Sequence, residues 1–117
     1  MNTPFEASTR NGPPYRDKRT VPRYEFIATV EVVEPVSDMR LSGRVSEISR
    51  KGCFVDILNT LPAGTKVNLR ITRDQGAFFT PAMIIYVQEG MGMGIAFREP
   101  PVDQLEILDA WLAKLAE

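Results

Sequence analysis

The sequence predicts a mainly β fold, an antiparallel architecture of six or seven short strands, either a small barrel or a sandwich, with one α-helix packed on it at the C-terminal end. Three observations predict it. Runs rich in β-branched and aromatic residues recur at short intervals. Clusters of Pro, Gly, Asn and Asp separate them, with no helical stretch in between. Helical periodicity begins only after Pro100 and Pro101.

Residues 1–15 hold three of the nine prolines and show no periodicity, so a disordered tail is expected there. Residues 16–23, Arg-Asp-Lys-Arg-Thr-Val-Pro-Arg, carry four cations and one anion. Pro22 biases Val21 towards an extended conformation, which makes this basic arm reach rather than coil. Residues 24–34 read as the first strand, with Phe26, Ala28, Val30 and Val32 alternating against Thr29 and Glu31. Residues 35–38 turn the chain, 39–48 return it, and Lys51-Gly52 leads into a short apolar strand over 53–58. After the turn Leu61-Pro-Ala-Gly64, residues 66–73 place Val67, Leu69 and Ile71 on one face. Residues 77–88 form a longer strand, expected to be broken or edge-like at Pro81, and 91–97 the last one. From Val102 to Ala116, Leu105, Leu108, Leu112 and Leu115 share one helical face with Trp111 at its margin. Full burial of four leucines is worth about 6–12 kcal/mol before entropy, so the helix is expected to be indispensable.

Composition narrows the function. One domain fits 117 residues, and 14 basic against 15 acidic residues give a net charge of −1, which argues against a protein that coats nucleic acid or anionic lipid. An anion site must then be a local concentration of charge, as the arm is. With no histidine, the commonest metal ligand and general base are missing, so neither a metal site, a cofactor nor catalytic residues are expected. Cys53 is the single cysteine and sits in an apolar run, where a small buried hydrophobe is expected rather than a reactive thiol. The N-terminus lacks the pattern of a secretory signal and no apolar run approaches the ~20 residues of a membrane span, so a cytoplasmic protein without membrane insertion is expected.

Gly92 and Gly94 lie within a strand pattern with no helix following, which excludes a dinucleotide loop and points to a tight bend or a close backbone approach. Two further stretches can carry a site. One is the arm, with Arg19 and Arg23 spaced Arg-x-x-x-Arg. The other is Glu47-Ile-Ser-Arg-Lys-Gly52, a carboxylate, a hydroxyl and a glycine at a strand end. Alone, the first reads as a solvated charge run, and the second as a hairpin in which Ser49 bonds its own backbone and Gly52 takes positive φ.

Together, Arg19 and Arg23 followed by Glu47, Ser49 and Gly52 resemble the PilZ domain, the bacterial receptor module for cyclic di-GMP, and the resemblance extends over residues 18–116 to the Gly-Met-Gly-Ile-Ala-Phe strand and the terminal helix. It implies a ligand-binding arm over 16–23, a barrel over 24–98 and a helix over 101–116, making residues 16–117 one PilZ-like domain. It implies that Arg19 and Arg23 fork onto phosphate or guanine, with Lys18 as a supplementary charge. Glu47 would accept from guanine N1–H and N2, Ser49 would donate to a phosphate or base, and Gly52 would let the backbone approach. Tyr86 is a candidate stacking surface or a core or rim residue. The family's acidic position is usually Asp or Asn, and Glu47 is one methylene longer. The expectation is a receptor without catalysis whose arm changes conformation to signal to a downstream protein partner. The alternative is a PilZ-like adaptor that has lost nucleotide binding. A single-strand nucleic-acid binder is disfavoured by the negative charge and the inward-facing aromatic residues.

Overall fold

The computed structural model describes residues 21–117. Six antiparallel strands close into a barrel: β1 Arg23–Glu34, β2 Met39–Ser49, β3 Gly52–Asp56, β4 Lys66–Arg73, β5 Gly76–Gln88 and β6 Gly92–Phe97, followed by the helix α1 Val102–Leu115. Around the wall the order is β1-β2-β3-β6-β5-β4, and β4 pairs with β1 to complete the ring. The expected tail over 1–15 and the arm up to Thr20, with Lys18 and Arg19, lie outside the described residues.

The alternating pattern read from the sequence is the pattern that packs. Phe26, Ala28, Val30 and Val32 of β1, Val67, Leu69 and Ile71 of β4, and Phe78, Ala82 and Ile84 of β5 all point inward to one core with Val55, Met93 and Ile95. Cys53 lies wholly inside that core, as its apolar neighbours imply. Asp74, at φ 55°, turns β4 into β5 in a two-residue connection.

Strand β5 is continuous through Pro81: of the two expectations the break does not occur, and the edge-like position does. The reason is positional: Pro81 pairs with Asn68 of β4, while on its other side β6 has ended at Phe97. Its carbonyl still accepts from the Arg98 amide at 2.8 Å, so the absent N–H faces a stretch that needs no donor.

Helix α1 docks on the barrel at β5, but differently from a four-leucine seam. Only Leu108 is fully buried, and Leu105, Leu112 and Leu115 are partly so. Trp111, expected at the margin, is the central anchor: its ring lies 5.3 Å from Phe26 and edge-on to Phe78 at 6.4 Å. Leu108 and Trp111 thus share the docking, the leucine by full burial and the tryptophan by its ring contacts. Polar contacts fix the helix at two further points. Gln104 Oε1 accepts from the Phe79 amide at 2.8 Å, and Asp109 pairs with Arg50 at 3.0 Å.

Candidate functional site

Arg23 opens β1 directly opposite Ser49, the last residue of β2, and Glu25 faces Glu47 two residues further in. Arg23 of the first half-motif therefore meets Glu47 and Ser49 of the second at a single strand pair. Arg23 Nη1 lies 3.7 Å from Glu47 Oε1, with the two side chains 39% and 44% exposed. A half-exposed guanidinium beside a half-exposed carboxylate presents donors and acceptors side by side, which suits a ligand bearing both phosphate and a hydrogen-bonding base edge. Arg23 thus belongs to the first strand as well as to the basic arm.

The turn that follows β2 is built by Ser49. Its hydroxyl accepts from the amides of Lys51 at 3.0 Å and Gly52 at 3.2 Å, and donates to the Gly52 carbonyl at 3.4 Å. At 3% exposure the side chain is inside the protein, so the hydroxyl expected to meet a phosphate or base is engaged by the turn itself. Gly52 differs from expectation as well. It does not take positive φ; instead, a Cβ there would come within 2.3 Å of the Ile95 carbonyl of β6. The close backbone approach is real, and the approaching backbone is that of the neighbouring strand. Arg50, between them, carries the ion pair to Asp109 and so links this turn to α1.

A depression of about 290 Å³ adjoins the pair, lined by Arg23, Ser46, Glu47, Phe54, Tyr86 and Gln88. Phe54 and Tyr86 lie 6.2 Å apart with their rings tilted by 31°. The Ser46 hydroxyl donates to Asp56 at 3.0 Å, and Arg44 meets the same carboxylate at 3.4 Å, which ties this lining residue of β2 to β3. Tyr86 was legible as an aromatic candidate; Ser46, Phe54 and Gln88 were not. Phe54 sits in an apolar run that reads as core, and only the pairing of β3 with β6, and of β6 with β5, brings it to Tyr86.

The family model of the PilZ domain matches residues 17–114. The chain belongs to the PilZ domain family. Among solved structures, this PilZ domain resembles the PilZ domain with c-di-GMP of YcgR from Escherichia coli, with a TM-score of 0.70, 14% identity, and coverage of 86% of this chain and 92% of that one. The PilZ domain of CeSA from a cellulose-synthesizing bacterium gives 0.63 and 23%, covering 81% and 98%. The Bacillus subtilis inhibitor of motility MotI/DgrA gives 0.70 and 15%, covering 87% of this chain and 55% of that longer one. No curated protein matches the chain at a significant level. At these identities the neighbours establish the barrel-and-helix fold. No helix among the described residues is long and apolar enough to cross a membrane.

Proposed function

We propose that this PilZ domain is a receptor for cyclic di-GMP that works by binding alone and passes the signal to a protein partner. The observation that carries the reading is the meeting of Arg23 and Glu47 on the lip of one depression, because each comes from a different half-motif and each supplies chemistry the other lacks. Arg23, with Arg19 and Lys18 from the arm, takes phosphate oxygens or the O6/N7 edge of guanine. Glu47 accepts from guanine N1–H and its N2 amine. Ser49 and Gly52 act by holding the β2–β3 turn at its close distance to β6, so they shape the site from beneath. Binding draws the arm over the depression and changes the surface that a partner reads, at an entropic cost for the arm.

Titration calorimetry with cyclic di-GMP tests this on the wild type and Arg23→Ala. The expected result is measurable heat from the wild type and an affinity at least about tenfold lower for the variant, the scale of a lost charge-assisted contact. No heat from the wild type, or equal affinities, overturns the reading.

A further inference from the structure

The outer wall of the barrel carries a row of residues that register alone defines. Glu25 of β1 faces Glu47 of β2, Glu47 faces Phe54 of β3, Phe54 faces Gly94 of β6, and Gly94 faces Tyr86 of β5. At ~4.8 Å per strand, the three steps from Glu47 to Tyr86 span about 14 Å. Three of the strand pairings shift register at this row: between Glu25 and Ala28, between Val45 and Glu47, and between Ile84 and Tyr86. A bulge re-aims the side chains beside it, and three bulges at one level set one band of side chains apart from the regular pleat.

Gly94 is the device that flattens this band. A Cβ there would lie 2.3 Å from Tyr86 Cε2 and 2.5 Å from Cζ, so the tyrosine ring lies across the glycine backbone instead of standing away from the wall. The Phe54 ring lies against Gly92, where a Cβ would come within 2.9 Å of its Cε2, and both rings line the depression together with Glu47. The sequence is thus a carboxylate, then two rings lying along the wall, with a guanidinium at the lip.

From this we infer that Phe54 and Tyr86 form a stacking shelf for one guanine base of the ligand, oriented so that its N1–H and N2 edge points to Glu47. The inference rests on the receptor reading above and adds to it the residues that hold the base. A planar base has a π-face that an aromatic ring contacts with little angular demand, while the carboxylate fixes its rotation within the plane. Shelf and carboxylate therefore divide the work: affinity comes from the rings, choice of base from Glu47. The glycine is part of the shelf because any side chain at 94 would lift Tyr86 off the wall.

The test is calorimetry with cyclic di-GMP on wild type, Tyr86→Phe and Tyr86→Leu, together with intermolecular NOEs from guanine H8 in the wild-type complex. Tyr86→Phe should bind within about twofold of wild type, and Tyr86→Leu about tenfold to a hundredfold more weakly, with NOEs from H8 to the Phe54 and Tyr86 ring protons. Wild-type binding with an undiminished Tyr86→Leu affinity, or with H8 NOEs only to other residues, overturns the shelf and leaves the receptor reading standing. Absence of wild-type binding overturns both. Should Tyr86→Leu lose the near-ultraviolet signature of Trp111, the NOEs on the wild type decide alone.

Discussion

Arg23 and Glu47 pair diagonally across β1 and β2, so the Glu47 carboxylate stands between an opposite charge at Arg23, 3.7 Å away, and a like charge at Glu25, its direct partner in the ladder. The attraction and the repulsion both act through half-exposed groups, where water and salt screen them. The pair consequently holds position more than it holds the fold.

Its small energetic share is measurable. Glu47→Gln should change stability by at most about 1 kcal/mol, less than roughly 8 °C in Tm for a domain of this size, and the change should shrink further in 0.5 M salt. A thermal scan by circular dichroism checks it. A larger loss would mean that the carboxylate is a structural strut of the β1–β2 pair.

Gly94 and Tyr86 make a second pair open to a mutant cycle. Gly94→Ala introduces a Cβ 2.3 Å from the ring, and the overlap should cost about 1–3 kcal/mol. Removing the ring removes the overlap, so Gly94→Ala in a Tyr86→Ala background should cost at least about 1 kcal/mol less than in wild type. Gly52→Ala, which meets the Ile95 carbonyl at 2.3 Å, has no side chain to delete and should be severe in any background. Urea unfolding of the five proteins resolves the pattern, and simple additivity between positions 94 and 86 would refute it.

For the helix, Trp111 should outweigh any of the partly buried leucines. Its contacts to Phe26 and Phe78 predict a cost of about 2–4 kcal/mol for Trp111→Ala, somewhat below the range of a fully buried tryptophan. Leu115→Ala, at the last residue of α1 and only partly buried, should cost less than half as much. Denaturant midpoints compared at constant m-value test the ranking.

Burial raises the Cys53 thiol from 9.0 to about 12, because the core cannot solvate a thiolate. An acid whose ionisation is delayed by folding favours the folded state only while protonated. This contribution is therefore complete below pH 9 and is lost as pH rises from 9 towards 12. The folded protein should resist a thiol-specific disulfide reagent at pH 8 and react promptly in urea. Reaction at equal rates in both conditions would contradict the burial.

Much of the fold was legible because local pattern and tertiary packing agree. In β4 the alternation of Val67, Leu69 and Ile71 with polar residues needs no knowledge of partners, and its bounds match the expected 66–73. Trp111 was misplaced because helical geometry gives an angle but not the shape of the surface that receives it. At the candidate site, motif spacing singles out Arg23 and Glu47, and the strand pairing brings them within 3.7 Å. Phe54 was hidden because β3 pairs with β6 across a long connection, and bulges at Val45/Glu47 and Ile84/Tyr86 shift the strict two-residue period that sequence reading relies on. Ser49 shows the converse limit: its sequence context fits both a turn-building and a ligand-facing hydroxyl, and in the folded turn the Lys51 and Gly52 amides already use it.

The closure of β4 onto β1 has a bearing on how such a module could be read by another protein. Each of the six strands has a hydrogen-bonded neighbour on both sides, but the closure is partial: β1 meets β4 only from Thr29 to Val33, β2 meets β3 only from Arg44 onward, and β5 meets β6 only from Ala82 onward. A partner that added a strand would have to do so along such single-ladder stretches, and over the rest of the wall would meet side chains alone.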